Sequence, residues 1–190
     1  MCAVINTTVS SLDATIKKLE KSGFYWGAIS ALKAKALLRD QPTGKFLVRD
    51  SSDARHLFTI TLVTATGITN VRIVLCEGLY SLDKKDTYTT KRNSEELQHR
   101  STPRFDCVVK MVFYYMLVTR KLLQGDPSET LENTRTAKFL LWSPLYKEVS
   151  SLQHLCRKAL NNQLLAKGIK DLPAVPNTVK LYLSQYPYPI

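Results

Sequence analysis

The stretch Gly44-Lys-Phe-Leu-Val-Arg-Asp-Ser-Ser52 constrains the fold most, because a strand-like run in it ends at one arginine and opens into a polar loop. Side chains alternate along a strand, so Phe46 and Val48 would share one face and Arg49 would lie on the other. A guanidinium offers a planar fork that fits a doubly charged oxyanion, and the hydroxyl and amide donors of the following loop complete such a cradle. The sequence therefore predicts a phosphate site at Arg49, although an arginine followed by an aspartate is also common as an ordinary ion pair.

Segments on both sides of this stretch favour the phosphate site. Trp26 and Gly27 precede it, a helical stretch follows them, and the strand-like segments 57–62 and Asn70-Val-Arg-Ile73 come after it. In this order and spacing, residues 23–142 closely resemble a Src homology 2 domain, the phosphotyrosine-binding module. The resemblance implies an α+β fold in which a central antiparallel sheet is flanked by two helices.

The apolar periodicity predicts the elements of such a fold. Ser10 and Ser11 cap an amphipathic helix that Gly23 ends, whereas residues 1–9 carry little signal. Glycine and proline turns separate the later segments. The prediction is a helix over residues 31–40, strands over 57–64, 69–75 and 79–82, a helix opened by Pro103 and Asp106, and a closing strand over 138–142.

The third predicted strand directs a second arginine toward the same site. Val71 and Ile73 share one face, so Arg72 lies on the other, polar face. The resemblance implies that the phosphate of a tyrosine-phosphorylated receptor or kinase contacts Arg49, Ser51, Ser52, Thr59 and Arg72. Residues 83–104 form a polar loop with charges of both signs, which either reads the ligand residues after the phosphotyrosine or is a solvated insertion.

After Pro144 the sequence changes to two short amphipathic helices. Ser150 and Ser151 cap the first, and the break Leu172-Pro-Ala-Val-Pro176 precedes the second. The apolar stripe of the first helix comprises Leu152, Leu155, Cys156, Ala159 and Leu160, and that of the second comprises Val179, Leu183 and Tyr186. Two such helices make a core too small to be stable without a partner.

The Leu-Cys-Leu spacing of the first stripe, followed by the Leu-Pro-x-x-Pro segment, resembles the suppressor-of-cytokine-signalling box, or SOCS box. The resemblance implies that the first helix binds elongin B and elongin C through Leu152, Leu155, Cys156 and Leu160. It also implies that Leu172, Pro173 and Pro176 contact a cullin scaffold. The expected domains are an N-terminal segment with a capping helix at 1–22, the Src homology 2 domain at 23–142 and a small all-α box at 143–190.

The charge, the apolar runs and the cysteines of the sequence limit the kinds of partner and cofactor that we expect. The formal net charge of +11, from 27 basic and 16 acidic side chains, favours anions, but the basic residues form no stripe and no nucleic-acid motif is present. No apolar run is long enough to span a membrane and the first residues lack a signal pattern, so a cytoplasmic protein without membrane insertion is expected. The four cysteines, Cys2, Cys76, Cys107 and Cys156, stand far apart, so we expect no zinc, disulfide framework or other cofactor.

The chain from about Leu12 onward is similar to suppressors of cytokine signalling. This implies a non-catalytic substrate receptor of a cullin-type ubiquitin ligase that dampens cytokine or growth-factor signalling. A competitive adaptor that blocks receptor docking sites without directing degradation is the alternative. An enzyme is disfavoured, because the chain lacks a glycine-rich nucleotide loop and a phosphatase Cys-x5-Arg loop. Residues 1–11 show no kinase-inhibitory stretch, so direct inhibition of a Janus kinase is not implied, and the family subtype stays open.

Overall fold

The computed structural model describes residues 2–83, 102–124, 139–164 and 175–190, with side chains from Leu12 onward. Within these ranges the helices are α1 (Cys2–Ser22), α2 (Ala31–Leu38), α3 (Val108–Gln124), α4 (Leu152–Leu164) and α5 (Asn177–Ser184). The strands are β1 (Lys45–Asp50), β2 (Phe58–Thr64), β3 (Gly67–Cys76), β4 (Leu79–Leu82) and β5 (Ser143–Pro144).

The five described strands form one sheet in the order β4-β3-β2-β1-β5. The pairs among β1 to β4 are antiparallel, whereas β5 runs parallel to β1. The register places Thr59 of β2 opposite Arg49 of β1 and also opposite Arg72 of β3. Directly opposite residues point to the same face, so these three side chains leave the sheet together.

The two faces of the sheet pack against different helices. Phe46 and Val71 belong to the main core on one face, which α1 and α3 cover. Leu47, on the other face, packs with Ala34 and Leu38 of α2. The predicted fold class, an antiparallel sheet flanked by helices, is therefore confirmed. On the second face, Val63 and Ile68 pack with the Leu47 cluster at one end, and the polar residues Arg49, Thr59 and Arg72 lie toward the other end.

Two predicted boundaries were wrong. The first helix begins at Cys2 rather than at Ser10, because serine and threonine inside a helix cost only a fraction of a kcal/mol each and do not force a start. Gly23, at φ +76°, ends this helix as predicted. The last strand is Ser143–Pro144 rather than 138–142. The Trp142 N–H donates to the Gly44 carbonyl at 2.9 Å, just before β1, and the chain pairs with β1 only after this contact. Residues 84–101 of the predicted loop lie outside the described residues.

In the C-terminal helix α4, the side chains that this chain buries are not those of the apolar stripe. The buried side chains of α4 are polar, namely His154, Arg157 and Asn161, while its predicted apolar stripe faces outward. In and after α5, Leu183 and Tyr186 are buried as the stripe suggested, but Val179 is exposed. Tyr186 packs in the core of the sheet domain, whereas the apolar stripe of α4 stays exposed among the described residues, so the expected need for a partner stays a prediction.

The tail after α5 joins the box to the sheet domain. Tyr186, Tyr188 and Ile190 belong to the same core cluster as the sheet, and the Tyr188 ring lies 6.3 Å from the Phe113 ring of α3. The Asn161 side-chain amide donates to the Tyr186 carbonyl at 2.6 Å, which ties the tail to α4. The sheet domain and the box therefore pack as one body in this chain. No described helix combines the length and apolar character that a membrane crossing needs.

Candidate functional site

Arg49 lies at the end of β1 with only 2% of its surface exposed. Its Nε donates to the Thr61 hydroxyl at 3.1 Å, and one terminal nitrogen donates to the Asp50 carbonyl at 2.9 Å. The other terminal nitrogen donates to the Asn70 side-chain oxygen at 3.3 Å. Thr61 also donates to Asn70 at 2.8 Å, so the three side chains of β1, β2 and β3 form one network. The guanidinium is thereby held in a fixed orientation.

The electrostatics of this network suit an anion. Burial lowers the pKa of the Arg49 guanidinium, and the nearby Asp50 charge partly opposes that shift. Arginine remains charged in proteins at neutral pH. The Asp50 carboxylate accepts a hydrogen bond from the Tyr25 hydroxyl. Among the described residues, the hydrogen bonds of Arg49 go to neutral acceptors rather than to a carboxylate. A buried charge held only by neutral groups is poorly compensated, so a dianion placed against it would be strongly favoured.

The loop after β1 lies beside this guanidinium. The Ser51 N–H donates to the Leu57 carbonyl at 3.0 Å, and the Ser51 hydroxyl accepts the Asp53 N–H at 3.1 Å. A hydroxyl that accepts one bond still has its own proton to donate. Ser52 is exposed at the surface of the loop. Both serines therefore lie in the loop that follows β1 and carry hydroxyl groups that can donate a hydrogen bond.

The remaining predicted contacts lie across the sheet. Thr59 is buried, and the side chain of Arg72 is 41% exposed. The Nε of Arg72 lies 3.5 Å from an Asp53 carboxylate oxygen, so Arg72 contacts the loop that carries the two serines. The structure brings Arg49, Ser51, Thr59 and Arg72 to one face and one loop, with Ser52 at its rim.

Sequence reasoning missed four residues of this region. Thr61 and Asn70 hold the Arg49 guanidinium, and alternation gave the signal, since each lies two positions from a predicted contact on the same face. Asp53 and His56 lie in the loop, with His56 Nδ1 3.4 Å from Asp53 and Nε2 3.7 Å from Asp83. A loop without periodicity gave no signal for these two.

The outward stripe of α4 is a second candidate site. Leu152 is 77% exposed, Leu155 45% and Leu160 44%, and Cys156 is an exposed free thiol. Pro176 stands at the N-cap of α5, while the predicted contacts Leu172 and Pro173 lie outside the described residues. Contiguous exposed apolar side chains on one helix face are typical of a surface that binds another protein.

The fold and these two surfaces define the class: a sheet domain of the Src homology 2 type, followed by a small helical box that exposes an apolar face. The family model described as SH2 domain matches residues 24–115, and the one described as SOCS box matches residues 148–184. The chain is 37% identical to suppressor of cytokine signaling 3 of Gallus gallus, over 93% of this chain and 83% of that protein.

Human relatives give the same result. The chain is 32% identical to suppressor of cytokine signaling 3 of Homo sapiens, over 92% of this chain and 84% of that protein. It is also 32% identical to suppressor of cytokine signaling 2 of Homo sapiens, over 94% of this chain and 82% of that protein. The chain therefore belongs to the suppressor of cytokine signalling family.

Proposed function

We propose that this protein is the phosphotyrosine-binding substrate receptor of an elongin and cullin ubiquitin ligase, and that it dampens cytokine or growth-factor receptor signalling. The observation that carries the proposal is the buried Arg49 guanidinium held by neutral acceptors, in the same molecule as an exposed apolar helix face. The protein performs no bond chemistry in this role. It captures a tyrosine-phosphorylated receptor or kinase and brings it to the ligase.

The depth of Arg49 supports phosphotyrosine over phosphoserine. With 2% of its surface exposed, Arg49 lies below the molecular surface, so a ligand needs a long side chain to bring its phosphate to the guanidinium, and phosphotyrosine has a longer side chain than phosphoserine. In this role Arg49, Ser51, Ser52, Thr59 and Arg72 donate to the phosphate. Charge-assisted hydrogen bonds of this kind contribute about 1.5–3 kcal/mol each.

The stripe on α4 supports the ligase arm. Leu152, Leu155, Cys156 and Leu160 would bury their apolar surface on the elongin pair, and covering one leucine completely is worth about 1.5–3 kcal/mol. Leu172, Pro173 and Pro176 would contact the cullin. The proposed domains are 1–22, 23–142 and 143–190, and the experiments use the whole chain because Tyr186 and Tyr188 complete the core of the sheet domain.

A peptide array tests the phosphotyrosine arm. The purified chain is applied to matched receptor peptides that carry tyrosine, phosphotyrosine or phosphoserine at the same position. We expect retention on phosphotyrosine peptides and none on the other two sets. Equal recovery of phosphorylated and unphosphorylated peptides would end the proposal.

Co-purification with elongin B and elongin C tests the ligase arm. A Leu152→Ser, Cys156→Ser double variant should lose the elongins, because it removes exposed apolar surface without touching the core. Thr178→Ala, exposed on α5 and therefore outside the α4 stripe, is the control and should keep them. A chain that captures phosphotyrosine peptides but never the elongins would instead be a competitive adaptor.

A further inference from the structure

Asp53, in the loop between β1 and β2, holds three basic side chains at the edge of the phosphate site. Its Oδ1 accepts from the Arg55 backbone N–H at 3.1 Å and from Arg55 Nε at 3.0 Å, while its Oδ2 lies 2.8 Å from the Arg55 terminal nitrogen. The same Oδ2 lies 3.4 Å from His56 Nδ1 and 3.5 Å from Arg72 Nε. One carboxylate thus connects the loop to β3.

Asp53 connects the loop that carries Ser51 to Arg72, which lies on the same face of the sheet as Arg49. Arg72 starts on β3, and neighbouring strands lie about 4.8 Å apart, so its Cα is about 10 Å from that of Arg49 on β1. Asp53 belongs to the loop that begins at the end of β1, next to Ser51. The contact from this loop to the Nε of Arg72 fixes one end of the guanidinium on the loop that also carries Ser51, on the face of the sheet that Arg49 shares.

We propose that Asp53 is a positioning residue of the phosphate site, which orients the Arg72 guanidinium so that Arg49 and Arg72 bind one phosphate from two sides. This inference rests on the proposed phosphotyrosine binding and adds the residue that brings its two arginines together. Asp53 itself donates nothing to the phosphate. It acts through Arg72.

A carboxylate so near a phosphate site could instead occupy the site and compete with the ligand. The geometry argues against that reading, because the Asp53 carboxylate is taken up by Arg55, whereas the described hydrogen bonds of Arg49 go to Thr61, Asn70 and a backbone carbonyl. A placeholder for the phosphate would be expected on Arg49. The Arg55 bonds also hold the pKa of the Asp53 carboxyl well below its usual range, so the contact to Arg72 persists at neutral pH.

A double-mutant cycle between Asp53 and Arg72 tests the proposal. The ligand is a phosphotyrosine peptide that binds tightly in the array, and titration calorimetry on the whole chain measures its dissociation constant. Asp53→Asn should weaken binding about fivefold in the wild-type background, because the neutral amide no longer fixes the Arg72 guanidinium. In the Arg72→Ala background, the same substitution should change the dissociation constant by less than about 1.5-fold.

The controls separate positioning from other effects. Asp13→Asn removes the same charge on α1, which covers the opposite face of the sheet, and should leave affinity unchanged. Equal weakening by Asp53→Asn in both backgrounds would show a general loop effect, and tighter binding would show a competitor, so either result overturns the proposal. Absence of phosphopeptide binding by the wild-type chain would instead overturn the proposed function, and this inference with it.

Discussion

At the scale of single residues, the hydrogen bonds of Arg49 fix the orientation of its guanidinium. Three acceptors on β1, β2 and β3 fix the fork, and none of them neutralises its charge. Lysine at this position would keep a positive charge but present a single ammonium, which cannot bond Thr61 and Asn70 and a phosphate in the same geometry. The shape of the guanidinium therefore matters here as much as its charge.

We expect Arg49→Lys to weaken phosphotyrosine-peptide binding by about 100-fold, the equivalent of roughly 3 kcal/mol, because two or more charge-assisted bonds are lost. Titration calorimetry on the whole chain measures the change. Arg39→Lys, at an exposed arginine that caps the end of α2, is the matched control and should bind as the wild type does. Unchanged affinity in Arg49→Lys would mean that the phosphate binds elsewhere.

His154, buried in α4, should make the stability of the protein depend on pH. Burial, with the charges of Arg157, Lys158 and Lys21, lowers its pKa from 6.5 to about 4, and its Nδ1 lies 2.5 Å from a terminal nitrogen of Arg157, a contact that suits the neutral ring. Between these values the unfolded state binds more protons than the folded state. The free energy of unfolding should therefore fall as the pH drops from about 6.5 toward 4, by at most about 1.4 kcal/mol per pH unit.

Urea unfolding from pH 7.5 to pH 5 measures this effect. His154→Gln should show a smaller loss of stability over that interval than the wild-type chain, because glutamine does not titrate. Equal losses in the two proteins would contradict the prediction and would place the pH dependence on other groups.

At the scale of elements, Gly44 allows the segment that contains Trp142 and β5 to pack beside β1. Its φ is +87°, and a Cβ there would lie 2.7 Å from the Cβ of Trp142, closer than two such atoms can stand. Only glycine allows the close approach that lets Trp142 donate to the Gly44 carbonyl and brings β5 beside β1.

Gly44→Ala should destabilise the chain by about 2–4 kcal/mol, since both the backbone conformation and the contact are strained. Gly78→Ala is the matched control, because Gly78 has φ +76° but nothing within 4 Å of an added Cβ, so it should cost only about 1 kcal/mol. Thermal unfolding of both variants gives the comparison. Equal losses of stability in the two variants would show that Trp142 moves away from the added Cβ without destabilising the fold.

Element by element, the sequence predicted the sheet and the two helices of the box, but not which side of α4 this chain buries. Alternation along β1 to β3 assigned Phe46 and Arg49 to opposite faces, because one face of such a sheet must be apolar. On α4 the apolar stripe indicated a buried face, but amphipathicity does not say which partner covers it. Arg157 is buried instead, over the Tyr182 and Tyr186 rings at 4.5 and 5.2 Å, a cation–π arrangement that local pattern cannot reveal.

At the scale of the whole molecule, Tyr186 joins the two domains. It is fully buried, its hydroxyl donates to the Ile190 carbonyl at 2.8 Å, and its ring lies 5.1 Å from the His154 ring. The Tyr186 ring contacts both the core of the sheet domain and His154 of α4. We therefore expect the sheet domain and the box to unfold together rather than in two steps.

Tyr186→Ala should lower the free energy of unfolding by about 3–5 kcal/mol, the usual cost of deleting a buried aromatic ring. It should do so for probes in both domains, namely Trp26 fluorescence and elongin binding. Leu181→Ala, which is 63% exposed on α5, is the matched control and should cost less than about 1 kcal/mol. A variant that loses elongin binding while the sheet domain keeps its full stability would show that the domains are independent.

The position of the tail in the core also bears on how this protein is made. A chain emerging from the ribosome completes all five strands by residue 144, yet Tyr186, Tyr188 and Ile190 still have to pack before the hydrophobic interior closes. Domains that close early fold while synthesis continues, whereas this one must wait for its last turns of sequence. The sheet domain of this chain therefore cannot reach its native stability before α5 and the residues that follow it have been synthesised.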